Sequence, residues 1–236
     1  MTGSTRHPLS LSLAPAETGT AVAEPYGPRS LWLVDAATQG PAALGLAPAV
    51  LDDREKRRAA AFRRDGDRRC YVTAHVALRV LLGAHLGTEP GGVRLVAEDC
   101  PSCAGPHGRP AAADAALHFS LSHSQDLVLL AFARSPVGVD VEALLPPDAV
   151  DDVAAELHPR ETAELAALPP HARPVALARA WVRKEAYLKG LGIGLAHGIA
   201  GDYVGTGRSP GPAPPGWSVA DVAVPAGFAA AVAEAR

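Results

Sequence analysis

Two rhythms of apolar positions run along the chain. One repeats near the helical period, and the other is the alternation or short unbroken run of a strand. "SLWLVDA" at 30–36 reads as a buried strand. "DDREKRRAAAF" at 52–62 carries acids first and bases after, the order a helix dipole prefers. "RRCYVTAHVALRVLLGAHLG" at 68–87 repeats apolar residues at helical spacing and stops at Gly87. Strands are expected at 93–98, 117–123 and 127–133. The pattern then restarts with a strand at 137–144 and helices at 150–157, 160–168 and 172–190. Strands follow at 202–205, 217–224 and 227–233, interrupted by the loop "GTGRSPGPAPPG". Residues 1–28 are rich in Ser, Thr, Pro and Gly without periodicity, which predicts a mobile arm.

The order strand, helices, three strands thus occurs twice. We expect an α+β chain of two similar halves, 29–134 and 135–236, after the N-terminal arm 1–28. Residue identity between the halves is slight, so the repeat is one of architecture. Two such halves would create a cleft, a common place for a ligand.

Composition narrows the classes. The 236 residues suffice for one large domain or two half-size ones. A net charge of -3 brings no basic excess that would demand nucleic acid. Three cysteines, Cys70, Cys100 and Cys103, do not make a disulfide framework and point to a reducing, cytoplasmic setting. No apolar run approaches membrane-spanning length, and the N-terminus does not read as a signal peptide. Of the 22 basic residues, Lys56, Lys184 and Lys189 are the lysines and the rest are arginines. A lysine in such a chain hints that an ammonium group was needed.

"GVDVE" at 138–142 places Asp140 and Glu142 two residues apart on a strand, so both point the same way. Paired carboxylates repel unless a cation joins them, and oxygen ligands of this kind suit magnesium beside a phosphate. A polar strand end in solvent is the plain alternative. "WVRKEAYLK" at 181–189 lies on the strongest helix, with Leu177, Trp181 and Leu188 on one stripe. Glu185 and Lys189 stand four apart in the favoured order for a surface ion pair, worth about 0.2–0.5 kcal/mol. That pairing leaves Lys184 without a role.

The two motifs together, in this order and about forty residues apart, resemble the paired signature of phosphopantetheinyl transferases. "REKRR" (54–58), "HGRP" (107–110) and "FSLSHS" (119–124) are similar to features of the larger, surfactin-synthetase-type branch. The resemblance covers about residues 50 to 195. It implies a pseudo-twofold pair of α/β halves with the active site in the cleft between them. It implies a holo-[acyl-carrier-protein] synthase type of activity. The 4'-phosphopantetheine arm of coenzyme A moves to a serine of an apo acyl or peptidyl carrier protein, and adenosine 3',5'-bisphosphate leaves. The expected partners are coenzyme A and the carrier, with no nucleic acid and no membrane, and the chain is expected to be a monomer. By the same resemblance, Asp140, Glu142 and Glu185 bind one Mg²⁺, with Mn²⁺ as a substitute, and Glu185 or a water it orients takes the serine proton. Lys184 and Lys189 match lysines near the pyrophosphate and pantetheine, and Lys189 joins Glu185 as a catalytic candidate. Ser122 and His123 match a pair near the adenosine phosphates. Arg109 stands where many relatives have lysine, and Arg54, Lys56 and Arg69 match basic positions around the 3'-phosphate. Val182 departs from the pattern, which has a small hydroxyl residue or cysteine after the tryptophan.

Other residues are read more plainly. His75 falls inside an apolar helix pattern and is expected to pack there. Most arginines of 54–69 are expected on a solvated helix face. "CPSCAGPHG" at 100–108 offers Cys100, Cys103 and His107, half a zinc site without an obvious fourth ligand, or else a tight loop delivering Arg109. Two rival readings stay open: another Mg²⁺-dependent phosphate-transfer enzyme, and a non-catalytic homologue that keeps a coenzyme A pocket. The absence of a glycine-rich phosphate loop weighs against the first, and the full set of acids and lysines against the second.

Overall fold

A computed structural model describes residues 5–13, 29–101, 103–105, 108–113, 115–193 and 198–236. The fold is α+β. Contacts divide it into two units. One comprises Leu9–Val96 and Pro110–Arg134, and the other 5–8, Ala97–Arg109 and Ser135–Arg236.

In the first unit, β1 (Leu9–Ser10), β2 (Arg29–Asp35), β5 (His118–Ser124) and β6 (Leu127–Ala133) form a sheet in the order β1-β2-β6-β5. Three helices accompany it: α1 (Ala36–Val50), α2 (Asp53–Ala60) and α3 (Asp65–Leu86). The core joins Trp32 and Val34 of β2, Val128, Leu130 and Phe132 of β6, and Val76, Leu81 and Leu82 of α3. Two short strands, β3 (Leu95–Ala97) and β4 (Pro110–Ala112), make a separate sheet.

In the second unit, β7 (Val137–Ala143), β8 (Trp217–Asp221) and β9 (Phe228–Ala235) form a sheet in the order β7-β9-β8. Helices α4 (Val150–Ala154), α5 (Pro159–Ala166) and α6 (Arg173–Leu191) lie between its first and second strands. Setting β1 aside, both sheets share one plan. The first strand pairs antiparallel with the last, and the middle strand pairs with that last strand from its other side.

Each unit also uses the same kind of buried fastening. Helix α2 starts with a capping box, Asp52 to Glu55, which satisfies two backbone donors. The buried Glu55 carboxylate also accepts from Arg79 Nε at 2.6 Å and lies 2.9 Å from His75 Nδ1. Arg79 reaches Asp52 at 2.7 Å and donates to the Val93 carbonyl at 2.9 Å. Helix α5 likewise begins with a capping box, His158 to Glu161. Its buried Glu161 pairs with Lys184 of α6 at 2.9 Å and accepts from the backbone of Val204 and Gly205.

Several expectations need correction. The stretch 5–13 of the supposed mobile arm is built in: Arg6 bridges to Val222, β1 pairs with β2, and Leu11 and Leu13 are buried. Its apolar leucines supply the reason. Segment 97–109, expected in the first half, packs with the second unit, because Arg109 donates to the Gly190 carbonyl at 2.7 Å. Helix α1 was not anticipated, since Gly40, Pro41, Gly45 and Pro48 mask its pattern. Asp35 caps it. Residues 202–205 are not a strand, because the amides of Val204 and Gly205 go to the Glu161 carboxylate instead of a neighbouring strand.

Arg79→Met should cost about 3–5 kcal/mol in urea denaturation, the usual consequence of leaving a buried carboxylate without its cation. A loss near zero would show that Glu55 finds equal compensation from His75 and the Asp52 amide.

Candidate active site

Helix α6 lies on the β7–β9 sheet because both surfaces are nearly bare. Ala178, Val182 and Ala186 meet Ala229, Ala231 and Ala233 of β9. A Cβ on Gly138 would collide with the Ala186 carbonyl and the backbone of Gly190. A Cβ on Gly190 would stand 2.5 Å from the Trp217 ring. The two motif glycines are therefore spacing elements, and they let a helix backbone touch a strand backbone.

On β7, Val137, Val139 and Val141 are wholly buried, while Gly138, Asp140 and Glu142 share the other face. That face meets α6, as the Gly138–Ala186 approach requires. Asp140 is thus not at a solvated strand end: it is only 1% exposed. Glu142 is half-buried at the end of β7. Glu185 is buried on α6, and the Lys189 ammonium lies 2.6 Å from Asp140 Oδ1.

The acids of strand and helix sense one another. Burial pushes the Glu185 carboxyl up to about 6, and the Asp140 charge pushes the same way. Lys189 opposes this, and Glu142 adds to it. Three carboxylates and one ammonium therefore share a single electrostatic neighbourhood. Its donor set is oxygen, the kind a hard divalent ion takes. Among the described residues, no three acids, histidines or cysteines already stand at metal-ligand distances. Lys189 holds the position of a cation on Asp140. The chemistry of the donors fits a divalent ion, and Asp140 would exchange part of its contact with Lys189 to receive one. A cavity of about 270 Å³ opens beside Glu142, walled by Leu145, Val153, Leu177 and Trp181.

The other expected site residues are distributed as follows. Lys184 does not face the acids. It is 2% exposed, paired with Glu161 and donating to the Asp202 carbonyl. One residue along a helix is a turn of about 100°, so Lys184 and Glu185 look in different directions. Expected near coenzyme A, Lys184 is held in this structure by Glu161 and the Asp202 carbonyl. Arg109 is fixed by Glu98 at 2.8 and 3.0 Å and by the Gly190 carbonyl. Of the described residues of the cysteine segment, Ala104 donates to the Cys100 carbonyl and Gly108, next to Arg109, to that of Glu98. Cys100 is buried, Cys103 is exposed, and His107 lies outside the described residues.

In the first unit, Arg54 and Lys56 are exposed on α2, and Arg69 pairs with Asp126 at 2.8 Å. Ser122 and His123 point to opposite faces of β5, with Ser122 buried and His123 exposed. His75 packs as expected, against Glu55 and the Tyr71 ring.

Sequence reasoning missed the buried acids Glu55 and Glu161 and the buried Arg183, which is bound twice to Asp221 at 2.7 Å. A signal was present. Arg79 interrupts an apolar helix four residues after His75, and a cation there needs a buried acid.

Comparison with known proteins follows this geometry. Residues 136–210, which contain β7, α6 and the three acids, match the model of the 4'-phosphopantetheinyl transferase superfamily. Over these residues the chain is similar to that superfamily. It is 36% identical to the 4'-phosphopantetheinyl transferase HetI of Nostoc sp. over 63% of its own length and 62% of the relative's. It is 26% identical to a 4'-phosphopantetheinyl transferase of Bacillus subtilis over 64% and 63%. It is 31% identical to the 4'-phosphopantetheinyl transferase gsp of Aneurinibacillus migulanus over 38% and 37%. The chain spans about 62% of the length of the first curated relative.

The raised Glu185 sets a pH dependence for the metal-free protein. Its proton is held to about 6 in the fold against an ordinary 4.5, so the native state binds more protons in that window and stability falls as pH rises through it. By neutral pH the loss reaches about 2 kcal/mol. With a chelator present, Glu185→Gln should be more stable than the parent near pH 7 by about 1–2 kcal/mol, and equal to it near pH 4. Urea denaturation at the two pH values measures this, and a parent as stable as the variant at neutral pH would contradict it.

Proposed function

We propose that the chain transfers the 4'-phosphopantetheine arm of coenzyme A to a serine of an apo carrier protein, acyl or peptidyl, releasing adenosine 3',5'-bisphosphate. The observation that supports this reading is that buried Glu185 lies within the electrostatic reach of Asp140 and Glu142, where α6 approaches β7 at Gly138. The superfamily match over the same residues supports it. The holo-[acyl-carrier-protein] synthase type of activity is part of the proposal.

Asp140, Glu142 and Glu185 are the residues that would hold Mg²⁺ or Mn²⁺. When bound, the ion offsets charge on the pyrophosphate oxygens as the bond breaks. In the transfer, the serine oxygen bonds to the phosphorus on the pantetheine side. The bridging phosphorus–oxygen bond to the adenosine bisphosphate breaks, and the serine proton must go to a base. Glu185, or a water it orients, is proposed as the base that takes that proton. Lys189 both orients Asp140 and presents an ammonium to the phosphates. The cavity walled by Leu177 and Trp181 suits the uncharged pantetheine arm. The exposed Arg54, Lys56 and His123 are proposed for the coenzyme A phosphates. Arg69, Arg109 and Ser122 would serve after exchanging or sharing the contacts they make now.

Glu185→Gln and Asp140→Asn should each slow carrier modification by at least about a hundredfold, as loss of a transition-state electrostatic contribution commonly does. Lys189→Met should act chiefly by weakening coenzyme A. Initial rates on a panel of apo carriers, read by mass spectrometry beside melting temperatures, measure this. Near-normal rates for Glu185→Gln would end the three-acid reading.

A further inference from the structure

The second unit has another cavity, a groove of about 750 Å³ that shares no lining residue with the three acids. One wall is apolar, with Leu168 after α5 and Val175 on α6. The other wall is the loop 203–211. That loop is firmly built. Buried Arg183 donates to the carbonyls of Gly205 at 2.6 Å and Gly207 at 2.9 Å, and Glu161 accepts from the amides of Val204 and Gly205. Two arginines line the groove, Arg179 from α6 and Arg208 from the loop. Among the described residues neither has an ion-pair or hydrogen-bond partner. One acid, Glu164, also lines the groove, and both it and the neighbouring Asp221 are already hydrogen-bonded. Asp221 is bound twice by Arg183, and Glu164 accepts from Tyr203 at 2.6 Å and from Thr206 at 2.8 Å. A further cation, Arg160, stacks on the Tyr203 ring at 4.0 Å.

We propose that this groove binds a small amphiphilic anion, with a phosphate-type oxyanion between Arg179 and Arg208 and an apolar body against Leu168 and Val175. The volume falls in the usual range for small-ligand sites, roughly 300–1,000 Å³. Guanidinium forks match an oxyanion in shape as well as charge. Burial and the neighbouring Arg183 and Arg208 charges already hold the Arg179 guanidinium below its ordinary range, so an anion there relieves cation repulsion. Arg179 precedes Glu185 by six residues, which sets the two about 120° apart around α6, so the groove is separate from the acid site. The inference does not depend on the proposed transfer activity.

Octyl phosphate and inorganic phosphate, titrated calorimetrically into the whole chain without coenzyme A, test it. Octyl phosphate should bind one per chain. Arg208→Gln and Arg179→Gln should each weaken it by at least about tenfold, the effect of one lost charged hydrogen bond. Val175→Asn should weaken octyl phosphate and leave inorganic phosphate unchanged. Arg208 is exposed, so Arg208→Gln should melt with the parent and report binding alone. No binding by the parent, or equal binding by the parent and Arg208→Gln, would overturn the proposal. So would inorganic phosphate binding as tightly as octyl phosphate, which removes the apolar half of the claim.

Discussion

The structure of the second unit depends on how closely α6 approaches β7. Gly138 and Gly190 remove the side chains that would hold helix and strand apart, and the alanines of β9 keep the rest of the floor low. Side chains on facing elements at backbone contact have no room for a water layer between them. Burial and the Asp140 charge therefore raise the cost of ionising Glu185, and Lys189 pairs with Asp140. Such a cluster is expensive to fold, and its oxygen donors are of the kind a divalent ion takes. A site that stores repulsion until its cation arrives is a common compromise between stability and chemistry.

The rest of the unit tolerates that strain because its other charges are matched. Lys184, Glu161, Arg183 and Asp221 are paired and hydrogen-bonded, and together they fix α5, α6 and the loop 203–211. The first unit repeats the device with Glu55, Arg79 and His75, on a sheet of the same strand order. In both, the last residue of a capping box is a buried glutamate that binds a cation on the long following helix.

Much of this was legible in the sequence. Strands β6 and β7 and helices α3 and α6 follow from long, uninterrupted periodic patterns. The glycine and the alternating acids of "GVDVE" marked the strand face that α6 approaches. What escaped had physical reasons. Helix α1 is stabilised by packing on α3, which overrides two prolines and two glycines that argue locally against it. Residues 202–205 look like a strand, but their amides are claimed by a carboxylate forty residues earlier. The roles of Lys184 and Lys189 could not be told apart by composition. Both are rare lysines beside Glu185, and only the turn of the helix sends one to Glu161 and the other to Asp140.

The central claim is that the α6–β7 contact makes one divalent-ion site from acids on two elements. Electron paramagnetic resonance of Mn²⁺, titrated into the protein with coenzyme A present, tests it without any reference to turnover. The account predicts one tightly held ion per chain, lost in Asp140→Asn and in Glu185→Gln while both variants stay folded. Retention of that ion by either variant would contradict it.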